Sequence, residues 1–593
     1  MVCITLQRMV VRMEHEIIES SQELMGDEGE VLSPVLQDLD FIRDCFGANE
    51  RGDGLLLAAI LKDRYLYVTA PDDKGEWYKW VGHVWQLDEF DTTVDVAEQV
   101  ALAYEEYAFH VEAQRDQELA KLDEERNEKI AMIKAECEEE DAKKKIDTLL
   151  QKPLVPPKWM TSTIKDYNKR AWVLRSRERI MKARFFAPKV DRRIAAISDD
   201  LDQKKWLLPC ANGVLDLKRG LLMDGRPSDL LTKQIDVAYN PDADYSFFEE
   251  IIKDICVCPE IEGTDLLPAF LKRLFGYAIT GNVNEEFLAI FIGPGRNGKG
   301  TILETITSVL GAYYHQANRS LFIEQKFEPP PSATSEHMYA LQGKRLVVGA
   351  ETNKGQKIDG GLIKGITGGN KVNYRKNFKS EKTFTPTHTL ILETNNIPYG
   401  LTKEFSLTQR LVLVDFPFRY VDDIEAEERK YPALKGRFKK KNKDLKAKLK
   451  SRESREGVLK WLVEGCLEWD EHGLLIPDCV LQAREDLTKK EDYIGQFLGE
   501  IVEHVPDREN MRMEFKYLYE AFQYFWKDTI DSRDNKVPHK NTLSKELKER
   551  GYSLEKIGGK LWAYHFRIRP ELVHGVAELG AIDAKASSIA ALS

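Results

Sequence analysis

Residues 287–301 read FLAIFIGPGRNGKGT, and no other stretch of the chain restricts its possible folds as tightly. An uninterrupted apolar run leads into a glycine-rich turn, then a lysine, then a helix-forming segment to about Leu310. A buried strand ending in bare backbone amides at a helix start makes a cradle for anions, and a lysine at that point reaches the outer phosphates of a nucleotide. The candidate cradle is Gly293, Pro294, Gly295, Arg296, Asn297, Gly298, Lys299, Gly300 and Thr301, with Lys299 read as an exposed loop lysine. The Ser or Thr expected directly after the lysine is replaced by Gly300, with Thr301 one place on, so Thr301 would hold a magnesium ion directly or through water.

From Pro268 onward apolar strands alternate with helical segments, which predicts an α/β sheet with crossover connections. RLVVGAE places Glu351 just past a strand, where a carboxylate orients or deprotonates an attacking water and holds magnesium indirectly. Many phosphate-loop enzymes carry two adjacent acids there; Ala350 precedes this one, so Glu351 is expected to act alone or with water. HTLILET ends in Asn395, whose amide is placed to read a γ-phosphate, and Arg410 opens the strand RLVLVDFPF. Between them, NKVNYRKNFKSEKTFTP alternates as a β-hairpin does, with five basic residues and one acid from Lys371 to Lys382.

FLKRLFGYAITGNVNEEFLAIFIGPGRNGKGT, LQGKRLVVGAE, IKGITGGNKVNYRKNF, THTLILETNNIP and QRLVLVDFPF stand in the order found in superfamily 3 helicases of the poxvirus primase-helicase and phage or plasmid primase type. NGVLDL with DVAYNPDA resembles the amino-terminal domain of that family, and EGVLKWLVEG with the pattern after it resembles its tail. The resemblance covers roughly residues 40–95 and 195–570. It implies an AAA+-type P-loop core, ATP and Mg2+ as ligands, a homo-hexameric ring with ATP hydrolysed between subunits, and 3′-to-5′ movement on single-stranded or forked DNA. By position it makes Lys299 the phosphate-loop lysine, Glu351 the second-motif acid, Asn395 the sensor and Arg410 the arginine finger; the competing reading of Arg410 is a surface ion pair. The family's hairpin points into the ring channel, where Lys371, Arg375, Lys376 and Lys379 would meet backbone phosphates and Phe378 a sugar or base. Gly368-Gly369-Asn370 departs from the family's usual GGD. The primase many relatives carry is not evident, and Asp38-Leu39-Asp40 reads as helix-capping surface rather than as a polymerase acid pair. A separate primase or other replication protein is therefore an expected partner.

The rest of the chain sets limits. A length of 593 residues predicts several folded units. Residues 1–35 carry no readable pattern; 36–91 read as a small α+β region whose Trp77, Tyr78, Trp80 and Trp85 form a core, with a hairpin turn at Asp72-Asp73-Lys74-Gly75. The succession continues with a long helical region (92–198), the end of the family-type amino-terminal domain (199–267), the ATPase core (268–430), a basic stretch and helical subdomain (431–505), a winged helix (506–575) and a tail (576–593). A net charge of −11 excludes a uniformly basic DNA-coating protein and makes any nucleic-acid contact local. Lys435 to Lys450, nine basic residues and one acid, reads as a solvated face. Eight scattered cysteines without metal-ligand spacing read as reduced thiols. No apolar run reaches the roughly 18 residues of a membrane span, so a place in the cytoplasm of a bacterial host is expected. Two rivals stay open: a small-molecule kinase, since adenylate kinases share the GKGT loop, and a non-catalytic scaffold binding origin DNA through the winged helix.

Overall fold

The computed structural model describes residues 38–70, 74–325, 335–349, 356–375, 381–506, 511–529 and 537–590. They form two compact units, one of residues 38–81 and 85–201, the other of 82–84 and 202–590. The turn expected at Asp72-Asp73 lies outside the described residues.

The first unit joins the α+β and the long helical stretches on one core that runs from Ile42 to Ile194. Helix α1 (Leu39–Gly47) starts where the Asp38 carboxylate accepts the Phe41 amide at 2.9 Å, the capping role expected of that acid. Helix α2 (Asn49–Leu61) follows, then strands β1 (Tyr65–Thr69), β2 (Glu76–Trp80) and β3 (Trp85–Leu87), with Trp77 and Trp85 buried. Helix α3 (Glu98–Glu136) buries Val100, Tyr104, Ala108 and Val111 in its first half and no residue beyond Val111, so the polar remainder projects. Helices α4 (Glu139–Leu150), α5 (Lys158–Leu174) and α6 (Arg177–Val190) lead to β4 (Ala195–Ile197), which pairs parallel with β1. The fully buried Asp53 is held by the Tyr104 hydroxyl at 2.9 Å, by Arg170 at 3.1 Å and by Arg179 at 2.6 Å, which offsets the cost of burying its charge.

The second unit opens with an antiparallel sheet, β5 (Leu207–Cys210), β6 (Gly213–Asp216) and β7 (Leu221–Met223), and helices α7 (Ser246–Cys256) and α8 (Leu267–Ala278). Its centre is a parallel sheet of β8 (Leu288–Ile292), β9 (Tyr314–Ala317), β10 (Leu346–Gly349), β13 (Thr389–Thr394) and β14 (Leu411–Asp415), in the order β14-β8-β13-β10-β9. Strands β8, β10, β13 and β14 read as largely apolar, buried runs, whereas the edge strand β9 (YHQA) is polar and partly exposed. Helix α9 (Lys299–Leu310) leads from β8 toward β9, and α10 (Gly360–Thr367) precedes the antiparallel pair β11 (Val372–Arg375) and β12 (Glu381–Phe384).

After β14 come the short parallel pair β15 (Arg419–Val421) and β16 (Phe438–Lys440), α11 (Leu445–Leu449) and α12 (Arg452–His472). Helices α12 and α8 approach so closely that a Cβ on Gly276 would lie 2.1 Å from Gly465. The remainder holds α13 (Asp478–Glu491), α14 (Tyr493–Glu500), β17 (Val502–His504), β18 (Arg512–Glu514), α15 (Phe515–Thr529) and α16 (Lys540–Glu549). Strands β19 (Leu554–Ile557) and β20 (Lys560–Tyr564) form a hairpin whose turn, Gly558-Gly559, takes positive φ at both residues. Strand β21 (Phe566–Ile568) pairs with β17, and Phe497, Phe522, Phe525, Leu543 and Phe566 share the core here. No described helix is long and apolar enough to cross a membrane. The described cysteines are free thiols.

Candidate functional site

The glycine-rich loop lies at the carboxyl end of β8, the position where parallel sheets bind ligands. Gly293 leaves the strand at φ +150°, Arg296 takes φ +66° and Gly298 φ +91°. Glycine at 298 meets a second need, because a Cβ there would lie 2.7 Å from two side-chain carbons of Ile255 on α7. The loop is braced from behind: the Tyr420 amide donates to Arg296 O at 2.8 Å and the Asn297 side-chain amide to Phe416 O at 3.4 Å.

Lys299 opens α9 and is only 3% exposed, so it is not the exposed loop lysine that the sequence suggests. Its ammonium donates to Gly293 O at 2.8 Å and to Asn395 Oδ1 at 3.0 Å, which ties the loop to the tip of the neighbouring strand β13. The fold thus brings together Lys299 and Asn395, residues 96 positions apart in the chain.

These groups open onto a cavity of about 760 Å³, within the size range of small-molecule sites. Gly295 through Thr301, Glu393 and Asn395 line one side; Phe247, Ile251 and Ile255 of α7, with Tyr420 and Leu445, line another. Lys440, Lys441, Lys443 and Lys446 line it as well, so the basic stretch read as a solvated face forms part of a cavity wall. That stretch has acids waiting in the fold: Lys439 meets Asp254 at 3.0 Å and Lys446 meets Glu304 at 2.7 Å. The Tyr420 hydroxyl donates to Asp254 at 2.6 Å, and its burial together with that carboxylate pushes the phenol well above its ordinary pKa. The chemistry on offer is an anion cradle with one buried ammonium, next to an apolar and aromatic slot, under a basic rim.

Arg410 stands elsewhere. It precedes β14, whose register with β8 pairs Leu411 with Leu288 and Asp415 with Ile292, so it sits at the amino end of the sheet. The length of the strands puts it about 20 Å from the glycine-rich loop. There its guanidinium bonds Thr367 Oγ1 at 2.9 Å and Glu286 at 2.6 Å, the ion pair that was its competing reading. Lys371 and Arg375 are exposed at the start and end of the first hairpin strand, where Arg375 N donates to Ser335 Oγ at 2.8 Å. The hairpin is anchored by the buried Tyr374, whose ring lies 5.4 Å from Tyr339 and 5.8 Å from Phe384. Glu351, Lys376, Phe378 and Lys379 lie outside the described residues.

Sequence reasoning passed over Glu393, Tyr420 and the whole of α7. A glycine in the hydroxyl position after Lys299 was the one available hint that another side chain serves the cavity.

Residues 58–257 match a family model described as D5 N terminal like, and residues 291–410 match a family of unknown function, DUF5906. A protein of Acanthamoeba polyphaga mimivirus named "Putative helicase L207/L206" is 24% identical over 369 residues, 62% of this chain and 37% of the relative. One of Sputnik virophage, "Putative helicase V13", is 25% identical over 274 residues, 46% of this chain and 34% of the relative. The matched part therefore spans about a third of the length of these relatives. An apo structure of the NrS-1 C terminal region aligns over 56% of this chain and 79% of that one, at 12% identity and a TM-score of 0.30. The two family models, in this order along the chain, and the viral relatives named putative helicases make the chain similar to the primase-helicase type of viruses and phages.

Proposed function

We propose that this chain is an ATP-driven DNA helicase that moves on single-stranded or forked DNA as a ring of identical subunits, in the replication of a virus, phage or plasmid. The observation that carries the reading is the separation of two groups by one sheet. Lys299 and Asn395 meet over the cavity at the carboxyl end, while Arg410 stands at the other end, about 20 Å away. An arginine that far from its own loop can serve a nucleotide only across a subunit boundary, as a ring arrangement provides. Its planar fork and permanent charge suit it to bond phosphate oxygens there.

In this reading the loop amides and Lys299 take the β- and γ-phosphates of ATP, and Asn395, already bonded to Lys299, senses whether the γ-phosphate is present. The slot of Phe247, Ile251, Ile255 and Tyr420 receives the base, and Lys440 to Lys446 face the phosphates. Glu351 is assigned the attacking water. Thr301, half-buried at the cavity, would be one residue to hold Mg2+, which when bound would supply positive charge against the phosphates. The strand order, with β13 between β8 and β10, supports an AAA+-type core, and the succession α15, α16 and the β19–β20 hairpin supports a winged helix. The hairpin β11–β12 is assigned to the DNA channel, with Lys371, Arg375, Lys376, Lys379 and Phe378 as its contacts, and a separate primase as a partner.

ATP turnover measured with and without single-stranded DNA, and with nucleoside monophosphates as acceptors, tests the reading. Turnover stimulated by DNA and abolished by Lys299→Ala supports it; phosphoryl transfer to a monophosphate, or no turnover, refutes it.

A further inference from the structure

The residue after a phosphate-loop lysine ordinarily carries a hydroxyl that meets the magnesium ion. Here it is Gly300, in the first turn of α9, where the backbone would accept any ordinary residue. A Cβ built on Gly300 would have one atom within 4 Å, the Oε1 of Glu393 at 3.6 Å. The space a serine would enter is therefore bordered by a carboxylate oxygen. Glu393 belongs to β13, beside Phe291 of β8 in the register, and it is the one half-buried residue of an otherwise buried strand. It lines the same cavity as Lys299 and Thr301.

Magnesium takes hard oxygen ligands, keeps several waters, and is usually held by one or two carboxylates together with substrate phosphates. The sequence also lacks the second acid beside Glu351, since Ala350 occupies that place.

We infer that Glu393 replaces the missing loop hydroxyl, holding the nucleotide-bound magnesium from β13, and that Gly300 is the counterpart that leaves it room. The inference rests on the nucleotide reading above, and it makes Glu393 a metal-holding residue with no part in binding the metal-free nucleotide.

The test is a titration of fluorescent ADP into the full chain, once in EDTA and once across a Mg2+ series, for wild type, Glu393→Gln, Glu393→Asp, and Glu393→Ala alone or with Gly300→Ser or Gly300→Ala. Binding of Mn2+ in the presence of ADP, followed by electron paramagnetic resonance, is the second readout, and thermal melts check folding. Glu393→Gln should keep its affinity in EDTA within about twofold, yet need about tenfold more Mg2+ for its half-maximal effect, as losing one charge-assisted contact implies. Glu393→Asp should lie between. Gly300→Ser in the Glu393→Ala background should restore part of the Mg2+ and Mn2+ response, because a hydroxyl returns to its usual place, whereas Gly300→Ala should not. An unchanged Mg2+ requirement in Glu393→Gln, an equal loss of affinity in EDTA, or no difference between Gly300→Ser and Gly300→Ala would overturn the inference. A wild-type chain that binds no ADP in either buffer would refute the nucleotide reading instead.

Discussion

Gly298→Ala puts two separate demands of the loop under load, and the structure sets their sizes. At φ +91° an L residue pays about 1–2 kcal/mol for its left-handed backbone. The added methyl would lie 2.7, 2.7 and 2.9 Å from carbons of Ile255, which is 2% exposed in the core, so relief means displacing a packed side chain at about 1–3 kcal/mol. The sum is roughly 2–5 kcal/mol. If the loop keeps its shape, the second unit loses that stability. If the loop relaxes instead, the cradle opens and nucleotide affinity falls about 30-fold or more. Denaturant titration read by tryptophan fluorescence, beside fluorescent-ADP binding, measures both routes. Ile255→Ala removes the three contacting carbons but leaves the backbone strain, so the double variant should recover about 1–3 kcal/mol relative to the sum of the single changes. A Gly298→Ala protein with wild-type midpoint and wild-type affinity, or a pair that shows no coupling, would refute the reasoning.

Arg410→Ala should cost about 1 kcal/mol or less in stability, since its partner Glu286 is half-exposed, but should stop ATP turnover; mixed with Lys299→Ala it should regain activity as intact Lys299 and Arg410 meet across boundaries, and no regain despite proven subunit exchange would exclude action in trans. Lys376→Ala with Lys379→Ala should keep basal ATPase while losing DNA stimulation and flattening the salt dependence of single-strand binding; an unchanged salt slope would move the DNA contact elsewhere. His388, 2% exposed, finds no hydrogen-bond partner at either ring nitrogen among the described residues, and burial lowers its pKa from 6.5 to about 4. The unfolded chain takes up this proton between those values and the fold does not, so stability drops as pH falls through that window, by about 2–3 kcal/mol near its lower end. Urea titrations at pH 7 and 4.5 should show that His388→Leu removes this share of the acid sensitivity; equal sensitivity in both proteins would refute it.

What could be read from the sequence was whatever depends on neighbours in the chain. The run FLAIFI and the glycines after it mark a buried strand and a tight turn by composition alone, and Asp38 announces a helix start. Asn395 could be singled out because it ends a strand at a fixed place in the motif order. Glu393, two residues earlier, looked like any acid at a strand end; it gains meaning only when β13 inserts beside β8 and brings it to Gly300. Likewise the lysines from 435 to 450 form an ordinary charged run until the fold sets Asp254 and Glu304 against two of them. Lys299 looked exposed because loop lysines are; its burial follows from the Gly293 carbonyl and Asn395 closing over it.

The central claim, that ATP turnover at Lys299 drives strand separation, is tested most directly by unwinding of a forked DNA with ATP, with Lys299→Ala as control. The account predicts ATP-dependent release of the labelled strand by the wild-type chain and none by the variant, with both proteins folded and both binding the fork. Unwinding by Lys299→Ala at the wild-type rate, or ATP turnover by the wild-type chain without any strand release from a bound fork, would contradict it.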